Sequence, residues 1–240
     1  MSLPFAEWFL RLILALQSHP ADEPRLTPPP PDVPPKEISE RIKLAAESLA
    51  AKKLDAEALL VDPKQMDLHE WTAFREQIKK HAPVGKLAIV TPDEPGTRLA
   101  LRGIVRDEAG KRVEGALVYA YQTSAKGWYS DKAPHVSGES GDVKHARLFG
   151  YVRTGADGAF ELRTIRPAGY PRSDLPEHIH MHIDAKERGS MGTEVLFDDD
   201  PRLTPEKRMK ALRSRDVVVR AEKNPDGSLR AEGAFTLKAR

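Results

Sequence analysis

Three histidines alternate with apolar residues in the segment HIHMH at residues 178–182. On a β-strand, residues i and i+2 point to the same face about 6.6 Å apart at Cα, so two neighbouring imidazoles can converge on one ion. Residues i and i+4 are about 13 Å apart, which is too far for His178 and His182 to share a metal. The segment predicts two ligands at most, and a solvent-facing or hydrogen-bonded histidine row stays open as the alternative.

Two tyrosines lie beside turn-forming residues and are candidates to join these histidines. Tyr170 stands between a glycine and a proline, ahead of His178, and Tyr129 follows the β-prone run ALVYAYQT. The chain has no cysteine, which excludes thiolate nucleophiles, cysteine zinc sites and iron–sulfur clusters. Any metal ligand must therefore be a histidine, a carboxylate or a tyrosine.

The elements that must position these residues are predicted from β-prone runs and turn dipeptides. Beyond Pro83, the runs are separated by turn pairs such as Pro95-Gly96 and Asp157-Gly158. We predict strands at residues 98–106, 116–122, 148–154, 159–164, 178–184, 191–197, 216–221 and 229–237. Because no amphipathic helix comes between them before residues 205–214, the pattern is typical of an antiparallel β-sandwich or barrel.

The N-terminal part has a different composition. Residues 20–35 hold eight prolines in sixteen positions, a density that permits only extended or polyproline II structure. Residues 36–81 predict two helices with a short third over 55–60, and Asp67 is the predicted N-cap of the second long helix. We therefore divide the chain into a helical and proline-rich segment at 1–84 and a β domain at 85–240.

Charge and hydropathy restrict the partners. The 38 Lys and Arg against 36 Asp and Glu give a formal net charge of +2, with no basic run dense enough for a nucleic-acid groove. The apolar run at residues 3–16 is shorter than the roughly 20 residues that span a bilayer, and it contains two charges. We expect no nucleic-acid partner, no membrane span and a cytoplasmic location.

Five segments, in this order, resemble the catalytic domain of the intradiol ring-cleavage dioxygenases, the family of catechol and protocatechuate dioxygenases. They are GIVRDEAGKRVEGALV from Gly103, YQTSAKGWYS from Tyr121, GYVRTGADGAFELRTIRPAGYP from Gly150, PEHIHMHI from Pro176 and GTEVLFDDDP from Gly192. The resemblance implies that the β domain is a transthyretin-like antiparallel sandwich, which makes the whole chain mainly β with a helical segment in front.

The resemblance also implies a site and a reaction. It assigns a non-haem ferric ion to Tyr129, Tyr170, His178 and His180, and it implies no organic cofactor. Two tyrosinates suit Fe(III), because a hard cation prefers anionic oxygen donors. The implied reaction uses O2 to open a catechol-type ring between its two hydroxylated carbons, giving a muconate-type diacid, with Tyr170 accepting a substrate proton.

One position departs from the family pattern. The family usually carries an arginine three residues before the first histidine, where this chain has Leu175. Arg172 is our candidate catalytic residue in its place. The alternative function is a non-catalytic transthyretin-like binding or assembly module that keeps the sandwich. Because catechol-type relatives pair through N-terminal helices, we also expect a homodimer through residues 1–84.

Overall fold

The computed structural model describes residues 33–130 and 146–238. The apolar run at residues 3–16 and most of the proline-rich segment lie outside these residues. Within them, α-helices lie at Lys36–Ala50 (α1), Ala56–Leu60 (α2), Thr72–Lys80 (α3) and Pro205–Ser214 (α4). Strands lie at Lys86–Ala88 (β1), Arg98–Arg106 (β2), Leu117–Gln122 (β3), Leu148–Arg153 (β4), Ala159–Ile165 (β5), His178–Asp184 (β6), Ser190–Phe197 (β7), Val217–Val219 (β8), Glu222–Lys223 (β9) and Leu229–Thr236 (β10).

The strands form two five-stranded sheets, with orders β1-β5-β2-β10-β9 and β4-β3-β6-β7-β8. The mainly β fold with helices ahead of it is therefore confirmed. The sheets are mixed rather than wholly antiparallel, because β1 pairs with β5, β2 with β10, and β7 with β8 in parallel. Parallel neighbours need a long connection, and each of these pairs has one.

The second long helix is shorter than predicted. It begins at Thr72 after a 3-10 turn at Pro63–Leu68, and its N-cap Trp71 makes no side-chain capping bond. Asp67 is not the N-cap. Its carboxylate instead accepts two hydrogen bonds from the guanidinium of Arg41 on α1, at 2.5 and 2.8 Å. The competing ion pair explains why the capping prediction is wrong at this position.

The helices and the sheets share one hydrophobic core. Leu60 of α2, together with Phe74 and Ile78 of α3, is fully buried in the same cluster as Leu87 and Phe149 of the sheets. Within the described ranges, no helix is long and apolar enough to cross a membrane. The helical segment is thus part of the folded body that carries the strands.

Strand β6 shows which face of the second sheet carries the candidate histidine ligands. Ile179, Met181 and Ile183 are fully buried on one face, and the alternating histidines point to the other. Helix α3 packs on the histidine side, where the guanidinium of Arg75 lies 3.6 Å from the ring centroid of Phe149. Helix α3 therefore covers part of the histidine face, on which His182 stays exposed, and the opposite face joins the interior of the sandwich.

Candidate metal centre

Tyr129 lies on a short arm that leaves the end of β3. A turn forms at its base, where the amide of Gly127 donates to the carbonyl of Ser124 at 3.0 Å and the amide of Ser124 donates to the carbonyl of Trp128 at 2.8 Å. The φ of Gly127 is +78°, and a Cβ there would lie 2.3 Å from the carbonyl oxygen of Gly169. The absence of a side chain at this position lets the arm approach the loop that carries the second tyrosine.

Tyr170 lies in that second loop, between β5 and β6. The loop is tied to the base of the arm, because the hydroxyl of Thr123 donates to the carbonyl of Ala168 at 2.7 Å and the amide of Ala168 donates to the carbonyl of Ser124 at 3.2 Å. Tyr129 is 1% exposed, whereas Tyr170 is only half-buried. The two tyrosines therefore share a fixed base but differ in access to solvent.

Four side-chain atoms converge at this point. The hydroxyl oxygens of Tyr129 and Tyr170 are 2.5 Å apart, and the hydroxyl of Tyr170 lies 3.0 Å from Nε2 of His178. Nε2 of His178 is 3.1 Å from Nε2 of His180, which is 2.9 Å from the hydroxyl of Tyr129. Ligand atoms about 2.0–2.1 Å from a common ion are separated by roughly 2.8–3.4 Å. Three of the four distances fall in this range, and the two hydroxyl oxygens are closer, so one metal fits once these oxygens move slightly apart.

The second nitrogen of each imidazole has a partner that orients the ring. Nδ1 of His178 donates to the carbonyl of Pro176 at 2.7 Å, which leaves Nε2 to face the other three atoms. Nδ1 of His180 lies 3.5 Å from the carboxylate of Glu194, its direct neighbour on β7. Such outer contacts fix the ring orientation in metal sites.

The electrostatics favour ligation by His180. Burial, followed by the charges of His178 and His182, lowers the pKa of His180 to about 3, so the ring is neutral near pH 7. Burial also raises the pKa of Glu194. In the part of the chain that the structure describes, one group of His, Asp and Glu side chains can hold a metal ion, formed by His178, His180 and Glu194.

His182 lies on the same face but outside the cluster, as the strand spacing predicts. Its ring stacks on Tyr119 and Tyr121, with centroids 6.0 and 6.3 Å apart. Tyr121 also stacks on His180, with centroids 4.5 Å apart and planes 11° from parallel. An aromatic row therefore supports one face of the His180 ring.

Arg172 and Leu175 lie in the turn that leads from Tyr170 to β6. Both side chains are exposed, and Arg172 has a φ of +57°. Neither belongs to the four-atom cluster. The structure thus brings together the four predicted ligands and leaves Arg172 at the surface of the loop.

Sequence reasoning missed Arg166, which holds this loop in place. Its Nε donates to Glu177 at 2.7 Å, and its two terminal nitrogens donate to Asp199 at 2.7 and 2.8 Å. These hydrogen bonds and charges raise the pKa of Arg166, although burial opposes them. Because Glu177 precedes the first histidine, Arg166 connects the tyrosine loop to the start of β6.

Comparison with known proteins identifies relatives of this arrangement. A family model described as "Dioxygenase" matches residues 76–238. Catechol 1,2-dioxygenase 1 of Acinetobacter lwoffii is 31% identical over 137 residues, which cover 50% of this chain and 42% of that protein. Chlorocatechol 1,2-dioxygenase of Rhodococcus opacus is 30% identical over 167 residues, which cover 60% of this chain and 63% of that protein. The chain therefore spans about half the length of these curated relatives.

Solved structures agree on the fold. Hydroxyquinol 1,2-dioxygenase from Pseudomonas putida DLL-E4 superposes with a TM-score of 0.51 at 22% identity, covering 66% of this chain and 62% of that chain. The family match is the stronger observation, since it covers more than half of the sequence and includes all four convergent residues. The chain belongs to the intradiol ring-cleavage dioxygenase family.

Proposed function

We propose that the chain is a non-haem Fe(III) intradiol dioxygenase that uses O2 to open a catechol-type ring between its two hydroxylated carbons, giving a muconate-type diacid. The observation that carries this proposal is the convergence of two phenol oxygens and two imidazole nitrogens within 2.5–3.1 Å. This donor set suits Fe(III), which favours hard oxygen donors alongside imidazole. Bound Fe(III) would supply a Lewis acid for both substrate oxygens.

The two tyrosines take different roles in this proposal. Tyr129 is buried and its arm is fixed at both ends, so it stays in place as a ligand. Tyr170 is half-buried and its hydroxyl lies 2.5 Å from that of Tyr129, so it is the tyrosine that a substrate can reach. Its phenol oxygen is therefore the group that accepts a proton from an incoming catechol hydroxyl.

Visible absorbance tests the ligand set. Tyrosinate bound to Fe(III) absorbs visible light, so the purified protein should be burgundy and contain one iron per chain. Adding catechol should shift the band to the red, and Tyr129→Phe should change the band, because it removes one of the two tyrosinate ligands. A colourless protein after expression with ample iron, or an unchanged band in Tyr129→Phe, would reject the assignment.

Leu175 supports a second candidate, the non-catalytic binding or assembly module. Its side chain is 48% exposed, and it replaces the arginine that the family carries there. Oxygen uptake with a panel of catechols separates the two functions, because the module consumes none. If turnover is present, Arg172→Ala tests whether Arg172 replaces that arginine. A fall in kcat supports the role, and an unchanged kcat removes it.

The division at residue 84, the homodimer and the cytoplasmic location also stay proposals. The exposed side chains of Leu44 and Leu54 on the helical segment support pairing through that surface. Light scattering on the full chain tests this, because a homodimer has twice the mass of one chain. A monomer that persists at high concentration would reject it.

A further inference from the structure

The dipeptide Ala146–Arg147, which we call the 146–147 anchor, holds the far end of the Tyr129 arm. The amide of Arg147 donates to the carbonyl oxygen of Tyr129 at 2.7 Å. The guanidinium of Arg147 donates two hydrogen bonds to the carboxylate of Glu94, at 2.6 and 2.7 Å, and both side chains are largely buried. The position of Tyr129 therefore depends on where this anchor lies.

Two buried side chains from the helical segment hold the anchor by its backbone. Nδ1 of His69 donates to the carbonyl of Arg147 at 2.8 Å. One terminal nitrogen of Arg75 donates to the carbonyl of Ala146 at 2.9 Å and to the carbonyl of His69 at 2.8 Å. His69 is 0% exposed and Arg75 is 3% exposed. Because these bonds are shielded from water, losing one leaves a buried carbonyl unpaired.

The same guanidinium also reaches the histidine side of the cluster. The second terminal nitrogen of Arg75 donates to the hydroxyl of Tyr119 at 2.6 Å. Tyr119 stacks on Tyr121 with centroids 5.4 Å apart, and Tyr121 stacks on His180 with centroids 4.5 Å apart. One buried side chain is thus connected to the Tyr129 arm and to the ring of His180.

We infer that His69 and Arg75 are positioning residues for the metal centre, through which the helical segment sets the geometry of Tyr129 and His180. Both residues lie ahead of residues 76–238, so they stand outside the region that the family model matches. The consequence for iron rests on the proposed function. The positioning itself is a property of the metal-free chain and can be measured there.

Hydrogen exchange on the full-length, metal-free protein tests the positioning. Arg75→Met keeps the apolar stem and removes the donors. In this variant, we expect the peptide over residues 146–150 to exchange about tenfold faster through local opening, while the peptide over Leu229–Thr236 keeps its rate. The control is Arg41→Met, which removes an ion pair to Asp67 in the same helical segment and should leave residues 146–150 unchanged. Equal acceleration of both peptides in Arg75→Met, or none, would overturn the inference.

Iron titration of the same variants separates this inference from the proposed function. Groups that contact a metal ligand directly contribute about 10–100-fold to metal affinity. Arg75 acts one step further out, so Arg75→Met should bind iron up to about tenfold more weakly than the wild type, and Arg41→Met as tightly. If the wild type binds iron and Arg75→Met binds it equally well, the positioning is refuted and the proposed function stands. If the wild type binds no iron, the proposed function fails, and the exchange rates still decide the positioning.

Discussion

The close approach of Gly127 to Gly169 gives a quantitative test of how the two tyrosines are held. In Gly127→Ala, the new Cβ would lie 2.3 Å from the carbonyl oxygen of Gly169, and contacts under 3.0 Å are essentially never observed. The two loops must therefore separate by about 0.7 Å or strain their surroundings. Overpacking of this kind costs about 1–3 kcal/mol. The left-handed backbone at +78° adds about 1–2 kcal/mol for a residue with a side chain.

Gly110→Ala is the matched control. Gly110 has a φ of +79°, and a Cβ there would meet nothing within 4 Å. Gly110→Ala therefore has the free-energy cost of a left-handed backbone but creates no close contact. The melting temperature of Gly127→Ala should lie below that of Gly110→Ala by about 2–4 °C for each kcal/mol of contact strain, given a chain of this size.

The same pair of variants also tests the proposed metal centre through its affinity for iron. Tyr170 follows Gly169 directly, so separation of the loops lengthens the distance between the two phenol oxygens. Iron should bind more weakly to Gly127→Ala than to Gly110→Ala. Equal melting temperatures for the two alanine variants would refute the reasoning, because the contact between the loops would then contribute nothing.

Three further predictions concern single side chains. Arg166→Met should lower the free energy of unfolding by about 1–3 kcal/mol, because two carboxylates lose a largely shielded guanidinium partner. The control Arg230→Met removes only an exposed ion pair and should lower the free energy of unfolding by less than about 1 kcal/mol. Equal losses for the two variants in urea unfolding would contradict the prediction. Burial, followed in effect by the charges of neighbouring arginines, lowers the pKa of His69 to about 4, although a backbone hydrogen bond opposes it. The neutral ring therefore contributes its full stability above pH 6.5, and this contribution is lost as the pH falls towards 4. Between pH 7.5 and 5, the free energy of unfolding of the wild type should fall by about 2 kcal/mol more than that of His69→Asn. Urea unfolding that gives the same pH dependence for both proteins would contradict the prediction. Glu194→Gln should weaken iron binding about 10–100-fold in a calorimetric titration and change stability by no more than about 0.5 kcal/mol; unchanged affinity would show that the carboxylate does not support His180.

The strand pattern could be predicted because it depends on neighbours in the sequence. All eight predicted strands are present, with ends that differ by at most two residues. Alternation within residues 178–182 also predicted that two histidines share a face at bonding distance and that His182 lies beyond it. The short strands β1 and β9 were missed, since three and two residues carry too little pattern to separate them from loops.

The supporting contacts could not be predicted because they depend on register and packing. Glu194 meets His180 only through the pairing of β6 with β7, which no local pattern specifies. Arg166 and Arg75 are arginines in ordinary polar surroundings along the sequence, and their burial follows from how a loop and a helix fold onto the sheet. Asp67 shows the same effect, because an ion pair from another helix overrides a local capping signal.

The position of β10 has a consequence for how the chain is made. This strand lies inside its sheet, between β2 and β9, and pairs Leu229 with Leu99 and Thr236 with Arg106. Until β10 pairs with β2, the first sheet is incomplete and β2 presents an unpaired edge to other chains. Contacts of such large sequence separation slow folding. Pairing of β10 with β2 therefore protects this edge, and we expect variants that lack residues 229–236 to aggregate through it.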